Sequence, residues 1–180
     1  MKKKRLFKLI LTALMASLVA VCSQIAIPFA GVPMTLQTFA VALCAYLLGI
    51  SGGVLAVLIY LVLGAVGLPV FAGVGGSLAF LFGPTGGFLF GFLALAFFCA
   101  LGEYLGRGWR FLFGSLGLFL CHASGVLWFM YVAKISFGEA FLLGSAPYLI
   151  KDIISLVFAW ILIHKIRQRW HGMLLFSKAS

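Results

Sequence analysis

The chain has 180 residues, 64% of them hydrophobic and only 9% charged, with 13 Lys and Arg against 3 Asp and Glu and a formal net charge of +10. Soluble domains average roughly 45–50% apolar and about 25% charged residues, so this composition excludes a water-soluble globule and places the chain in a bilayer. In lipid only helices and closed barrels satisfy their own backbone, and the apolar runs here are continuous rather than alternating with period two, which makes the fold class all-α and polytopic.

Crossing the hydrocarbon takes about 20 residues, so residues 1–180 hold at most six or seven spans in a single domain. Breaks at Gly, Pro and charge divide the chain into six. The stretch MKKKRLFKLILTALMASLVAVCSQ has the basic, apolar and small-residue order of a secretory signal. Its apolar run is too long for one and is followed by more membrane sequence, so it reads as a first span from Phe7 to Pro28. Within it Thr12, Ala16 and Ala20 recur at i+4, a small-residue stripe that admits a close neighbour, either inside the bundle or on a partner.

The next connection, IPFAGVPMTLQTFAVAL, contains Pro28, Gly31 and Pro33 and then offers Thr35, Gln37 and Thr38 as neutral donors and acceptors. A second span follows from Leu36 to Gly49, short enough to require tilt or extension into its turns, and a third from Val54 to Phe71. Residues 63–92 are apolar yet hold nine glycines and two prolines. Irregular backbone at membrane depth survives only when buried in protein or lining a cavity, so this segment is expected to fold inward. Its GPTGG at Gly83–Gly87 puts Pro84 where the fourth span (Pro84 to Gly102) begins, with Thr85 placed to cap the free N–H groups. Such an end suits an acceptor or an anion; a tight packed turn is the alternative.

Glu103 is followed at i+4 by Arg107, an ion-pair spacing with a structural role. The fifth span, Phe111 to Ala133, contains His122, read as a hydrogen-bonding group to a neighbouring helix rather than a ligand-binding one. Glu139, in the connection KISFGEAFLLGSAPY, reads as solvated. The sixth span runs from Pro147 to His164 and carries Asp152 roughly 8 Å down the helix from Pro147, with Lys151 beside it. A charge near the middle of a membrane costs at least about 2 kcal/mol, which makes Asp152 a functional candidate.

Eleven of the 13 Lys and Arg precede the first span, lie between the fourth and fifth, or follow the sixth. By the positive-inside rule both termini are cytoplasmic, and the connections bearing Thr35, Gln37, the glycine-rich stretch, Lys151 and Asp152 gather at the outer face. Together they describe a pocket for a small, mostly apolar molecule with polar ends. The same juxtamembrane clusters account for the net charge through orientation and contact with anionic lipid, and give no reason to invoke nucleic acid. His164 and His171 sit at the cytoplasmic end, and Cys22, Cys44, Cys99 and Cys121 are isolated packing residues without metal-ligand spacing. The chain has none of the common catalytic motifs and no phosphate-binding loop, so it is not read as an enzyme; no cofactor is implied, and any pumping needs energy from a partner.

The segments VPMTLQTFAVALCAYLLG, YLVLGAVGLPVFAG, GPTGGFLFGF and PYLIKDIIS, in that order, resemble the BioY family, the biotin-specific substrate-binding (S) subunits of energy-coupling factor transporters, over roughly Ala13 to Ile163. The resemblance implies a six-helix protein of the bacterial cytoplasmic membrane that captures biotin at its outer face. A transmembrane coupling protein and two cytoplasmic ATPases then energise uptake. It implies binding roles for Thr35 and Gln37, for Phe71, Gly73 and Gly75, for Pro84 and Thr85, and for Asp152. The family pattern has Lys three residues after the acid where this chain has Ser155; Lys151 is the substitute, although an ideal helix turns it about 100° away from Asp152. Chemically, Asp152 suits the ureido N–H groups of biotin, Gln37 or Thr35 its carbonyl, and Phe71 and Tyr148 its rings, with a lysine or a helix N-terminus for the tail. The resemblance also favours the Thr12, Ala16, Ala20 stripe as the docking face for the coupling protein. The alternatives are an S subunit for a different vitamin and a membrane scaffold without a small ligand.

Overall fold

The structure, a computed structural model, describes residues 2–28, 32–106 and 108–169. Among the described residues, five helices are long and apolar enough to cross a membrane: α1 (Lys2–Gln24), α2 (Gln37–Ala65), α4 (Gly86–Leu105), α5 (Arg110–Ala133) and α7 (Ala146–Arg169). Two short helices, α3 (Leu78–Phe82) and α6 (Phe137–Gly144), lie in segments expected to be irregular. A two-stranded ribbon, β1 (Ala26–Ile27) against β2 (Met34–Thr35), joins α1 to α2 with Ala26 opposite Thr35. His171 and Lys178 fall outside the described residues.

Helix α2 replaces the second and third expected spans, and it is not straight. Gly49 interrupts it at φ 71°, ψ −172°, a backbone region open essentially to glycine alone. Gln37 Nε2 donates to the Tyr60 hydroxyl across 23 positions, which a straight helix would hold about 35 Å apart. The chain therefore doubles back at Gly49 into two antiparallel arms, 37–48 and 50–65. Each rises only about 18 or 24 Å, less than the roughly 30 Å hydrocarbon core. The arms meet closely: a Cβ on Gly53 would stand 2.7 Å from the Ala45 Cα. The second arm stops at Ala65 rather than at Phe71, because Gly67 takes φ 100° and Pro69 follows.

Around this hairpin the other spans are arranged by small residues. α2 packs on α1, α4 and α7, and α4 packs on α5, where Gly117 leaves room for Leu95 and Phe98. Tyr46, Tyr60, Phe71, Leu95, Leu156 and Ile163 fill the core, while Phe119, Tyr131, Ile150 and Ile154 stand exposed on the outside, as a lipid-facing surface requires. The four cysteines are buried free thiols.

One expectation changes here, and two acids gain partners among the described residues. Arg107, the partner expected for Glu103 from its i+4 spacing, lies outside the described residues. Glu103 is held by Arg110, with Nε 2.7 Å from Oε2, and by Arg167, which also donates to the Tyr46 carbonyl at 2.6 Å. This one carboxylate thus ties the ends of α4, α5 and α7 together. Glu139 is solvated as expected, yet it also closes a capping box at the start of α6. The Ser136 hydroxyl and backbone N–H both bond its carboxylate, holding its carboxyl below the usual range.

The change concerns the α1 stripe. Thr12 and Ala16 are each 1% exposed and Ala20 is half-buried against the core, so the stripe serves packing within the chain, not an open docking face. A helical period marks a face but not its neighbour, and here α2 covers it. Ala16→Leu is accordingly expected to overfill the α1–α2 contact and cost about 1–3 kcal/mol of stability, read as a lower melting temperature in detergent. An unchanged melting temperature would mean that this face is free.

Candidate functional site

Every long helix except α1 sends residues into one cavity of about 640 Å³. The loop and first turn before and within α2 supply Thr35, Gln37 and Thr38, and residues 72–85 supply Gly73, Ser77, Phe80, Pro84 and Thr85. Phe88, Leu89 and Phe92 of α4 and Leu118 of α5 give it apolar walls, and Tyr148, Lys151 and Asp152 project from the first turns of α7. Most of the lining is apolar, with the polar groups gathered on α7, α5 and the start of α2, the usual composition of a small-molecule site.

Asp152 anchors those polar groups at 5% exposure. Its Oδ2 stands 3.2 Å from His122 Nε2, and its Oδ1 pairs with the Lys151 ammonium. A carboxylate only accepts, so Nε2 carries the proton, and on a neutral ring Nδ1 accepts from the Ser145 hydroxyl at 2.8 Å. Lys151 also donates to the Thr35 carbonyl at 2.7 Å, tying α7 to the strand before α2. The 100° offset along the helix does not separate the two residues, because the long lysine stem brings its ammonium back to the carboxylate.

Gln37 is similarly fixed. Thr35 donates to its Oε1 at 2.8 Å and its Nε2 donates to Tyr60, leaving one N–H and one lone pair for a ligand. The Tyr148 hydroxyl donates to the Val32 carbonyl, which presents the ring flank to the cavity.

Of the residues singled out by sequence, Thr35, Gln37, Gly73, Pro84, Thr85, Tyr148, Lys151 and Asp152 share this cavity, whereas Phe71 and Gly75 do not line it. The Phe71 ring is buried in the notch above Gly64 and meets Tyr60 edge-on at 5.4 Å, while Phe71 and Gly75 exchange backbone hydrogen bonds behind the wall. Thr85 occupies the N-cap position of α4 but its side chain makes no capping bond, so its hydroxyl is not spent on the helix as expected. His122 does bond neighbouring segments, as read from sequence, and it lines the cavity as well. Ser145, Ser77 and Phe88 had no distinguishing signal. His122 had one, an ionisable group in an apolar span.

Residues 66–77 form a strap over one side of the cavity, and α1 holds it. Ser23 Oγ donates to the Val70 carbonyl at 2.5 Å. The Gln24 side-chain amide lies 3.0 Å from the Phe71 carbonyl and 3.3 Å from that of Pro69, and its Oε1 accepts from Val74 N at 3.1 Å. Gly73 and Val74 at the tip both have positive φ, 71° and 60°. For a β-branched residue this conformation costs about 1–3 kcal/mol and persists only where the surroundings impose it.

With the geometry in place, comparison with known proteins is informative. A model described as the BioY family matches residues 1–172. A probable biotin transporter BioY of Pyrococcus horikoshii is 38% identical over 157 residues, covering 87% of this chain and 94% of the relative. A biotin transporter BioY of Thermotoga maritima is 40% identical over 164 residues, covering 89% and 96%. The crystal structure of an S-component for biotin from an ECF-type ABC transporter superposes with a TM-score of 0.83 over 93% of this chain and 94% of that one, at 22% identity, which establishes a common fold.

Proposed function

The chain belongs to the BioY family, and we propose from that premise that it is the substrate-specificity subunit of an energy-coupling factor transporter, capturing biotin in the cavity around Asp152. It is a multi-pass membrane transporter subunit, not an enzyme.

The observation that carries the ligand assignment is one buried carboxylate in an otherwise apolar cavity. Biotin presents two ureido N–H donors flanking a carbonyl, an apolar bicycle, and an aliphatic tail ending in a carboxylate. Asp152 retains lone pairs for the N–H groups, and the spare N–H of Gln37 suits the carbonyl. Phe88, Phe92 and Tyr148 offer flat apolar surface for the rings. Lys151 pairs with Asp152 and so belongs to the same polar end of the cavity as the ureido group.

The two arms of α2 act as separate passes, which with the other four long helices makes six and returns the C-terminus to the side of the N-terminus. Lys3, Lys4, Arg5, Arg110, Lys165 and Arg167 all belong to helix ends remote from the cavity. By the positive-inside rule those ends are cytoplasmic and the cavity opens outward. The chain carries no phosphate-binding loop, so a coupling protein and two ATPases are assigned the work of transport. The α1 stripe is spent on internal packing and is not proposed as their contact.

Equilibrium dialysis of the purified chain against radiolabelled biotin tests the assignment. One biotin retained per chain, resisting competition by other vitamins, is the expected result. Retention of another vitamin, or of none, would overturn it.

A further inference from the structure

We infer that Gln24 is a positioning residue whose side-chain amide latches the strained strap of residues 66–77 onto the end of α1, and that release of this latch sets how fast a ligand leaves the cavity. The inference deepens the biotin reading and rests on it for the identity of the ligand.

Ala72, Gly73 and Ser77 of the strap line the cavity directly, so movement of the strap opens that side. The start of the strap is fixed by Ser23 at the Val70 carbonyl and by the Phe71 ring in the notch above Gly64, whereas its tip is open: Val74 is 71% exposed, and the backbone exchange between Phe71 and Gly75 closes the turn on itself. Attachment of the tip to α1 falls to Gln24, which serves both as donor to the Phe71 carbonyl and as acceptor from the Val74 N–H. Val74 itself adds a bias. A β-branched side chain in the left-handed region gains by leaving it, so the latched turn is spring-loaded toward release, and the amide opposes that tendency. The latch is exposed rather than part of the core, as a contact that opens and closes during exchange has to be.

Variants on the two sides of this balance are expected to act in opposite directions. Gln24→Ala removes both contacts. Gln24→Glu keeps the length and the acceptor but turns a carboxylate toward the Phe71 and Pro69 carbonyls. Either should raise amide hydrogen exchange across residues 70–76 of the ligand-free protein by about tenfold, the scale of one net hydrogen bond, and should speed biotin release similarly. Val74→Asn, which tolerates the left-handed conformation, should slow both. All three should melt close to the unmodified chain, whereas a residue needed only for stability would lower melting and binding together.

Unchanged exchange across residues 70–76 in Gln24→Ala and Gln24→Glu would overturn the latch whatever the ligand. Faster exchange with unaltered biotin release would overturn its control of ligand exit. Failure of the unmodified chain to bind biotin would instead refute the functional reading, and the exchange data would still decide whether the latch exists.

Discussion

Asp152→Asn is expected to weaken biotin binding by about 1.5–3 kcal/mol, the scale of a hydrogen bond to a charged group, or roughly ten- to a hundredfold in affinity. The substitution preserves volume but replaces an all-acceptor group with one that also donates. It therefore confronts the Lys151 ammonium and the His122 N–H, both donors, with at most one acceptor oxygen. Some stability goes as well, because Lys151 loses its counter-ion. That loss should fall below the 3–5 kcal/mol typical of breaking a fully buried pair, since the Lys151 side chain remains 22% exposed and keeps the Thr35 carbonyl. Lys151→Met and the double variant complete a cycle that separates the pair's mutual energy from its contact with ligand. Biotin titration and thermal melting on the same preparations read both quantities. Full affinity in a well-folded Asp152→Asn chain would remove the residue from the site.

The second large effect is expected at the other end of the bundle. Glu103→Gln leaves the Arg110 and Arg167 guanidinium groups facing each other without the charge that joins them, in a place where the glutamate side chain is only 5% exposed. Breaking such a pair costs about 3–5 kcal/mol when all partners are buried, and the partial exposure of the two arginines points to the lower end. Melting in detergent should fall clearly, while affinity at low temperature should hold because Glu103 does not line the cavity. A variant that melts like the unmodified chain would show that water already compensates the arginines.

Much of this architecture was legible because lipid permits so few solutions. Composition alone excluded a soluble fold, and Asp152 stood out because a charge in an apolar run needs a reason. What escaped depended on contacts between distant segments. Gly49 was visible as a boundary, but the reversal there shows only when Gln37 meets Tyr60. The short helices α3 and α6, of five and eight residues, sit inside punctuation that reads as loop. Phe71 falls in a motif that resembles a binding loop, yet the notch above Gly64 captures its ring and holds it behind the cavity wall. Likewise, the period of Thr12, Ala16 and Ala20 marks a close-packing face, while the arm of α2 that fills it lies beyond an entire loop.

The fold-back at Gly49 decides the parity of everything that follows it. Two arms joined by a reversal return the chain to the side from which it entered; one continuous helix of the same 29 residues, about 44 Å long, would deliver it to the opposite side. Every later element would then change hands. The basic connection before α5 and the basic end of α7 would trade places with the mouth that holds Asp152, against the charge bias that orients the chain. No neighbouring atom lies within 4 Å of where a Cβ on Gly49 would sit, so crowding does not select the glycine. Its backbone angles do, and through them a single residue without a side chain sets on which side of the bundle each later connection lies.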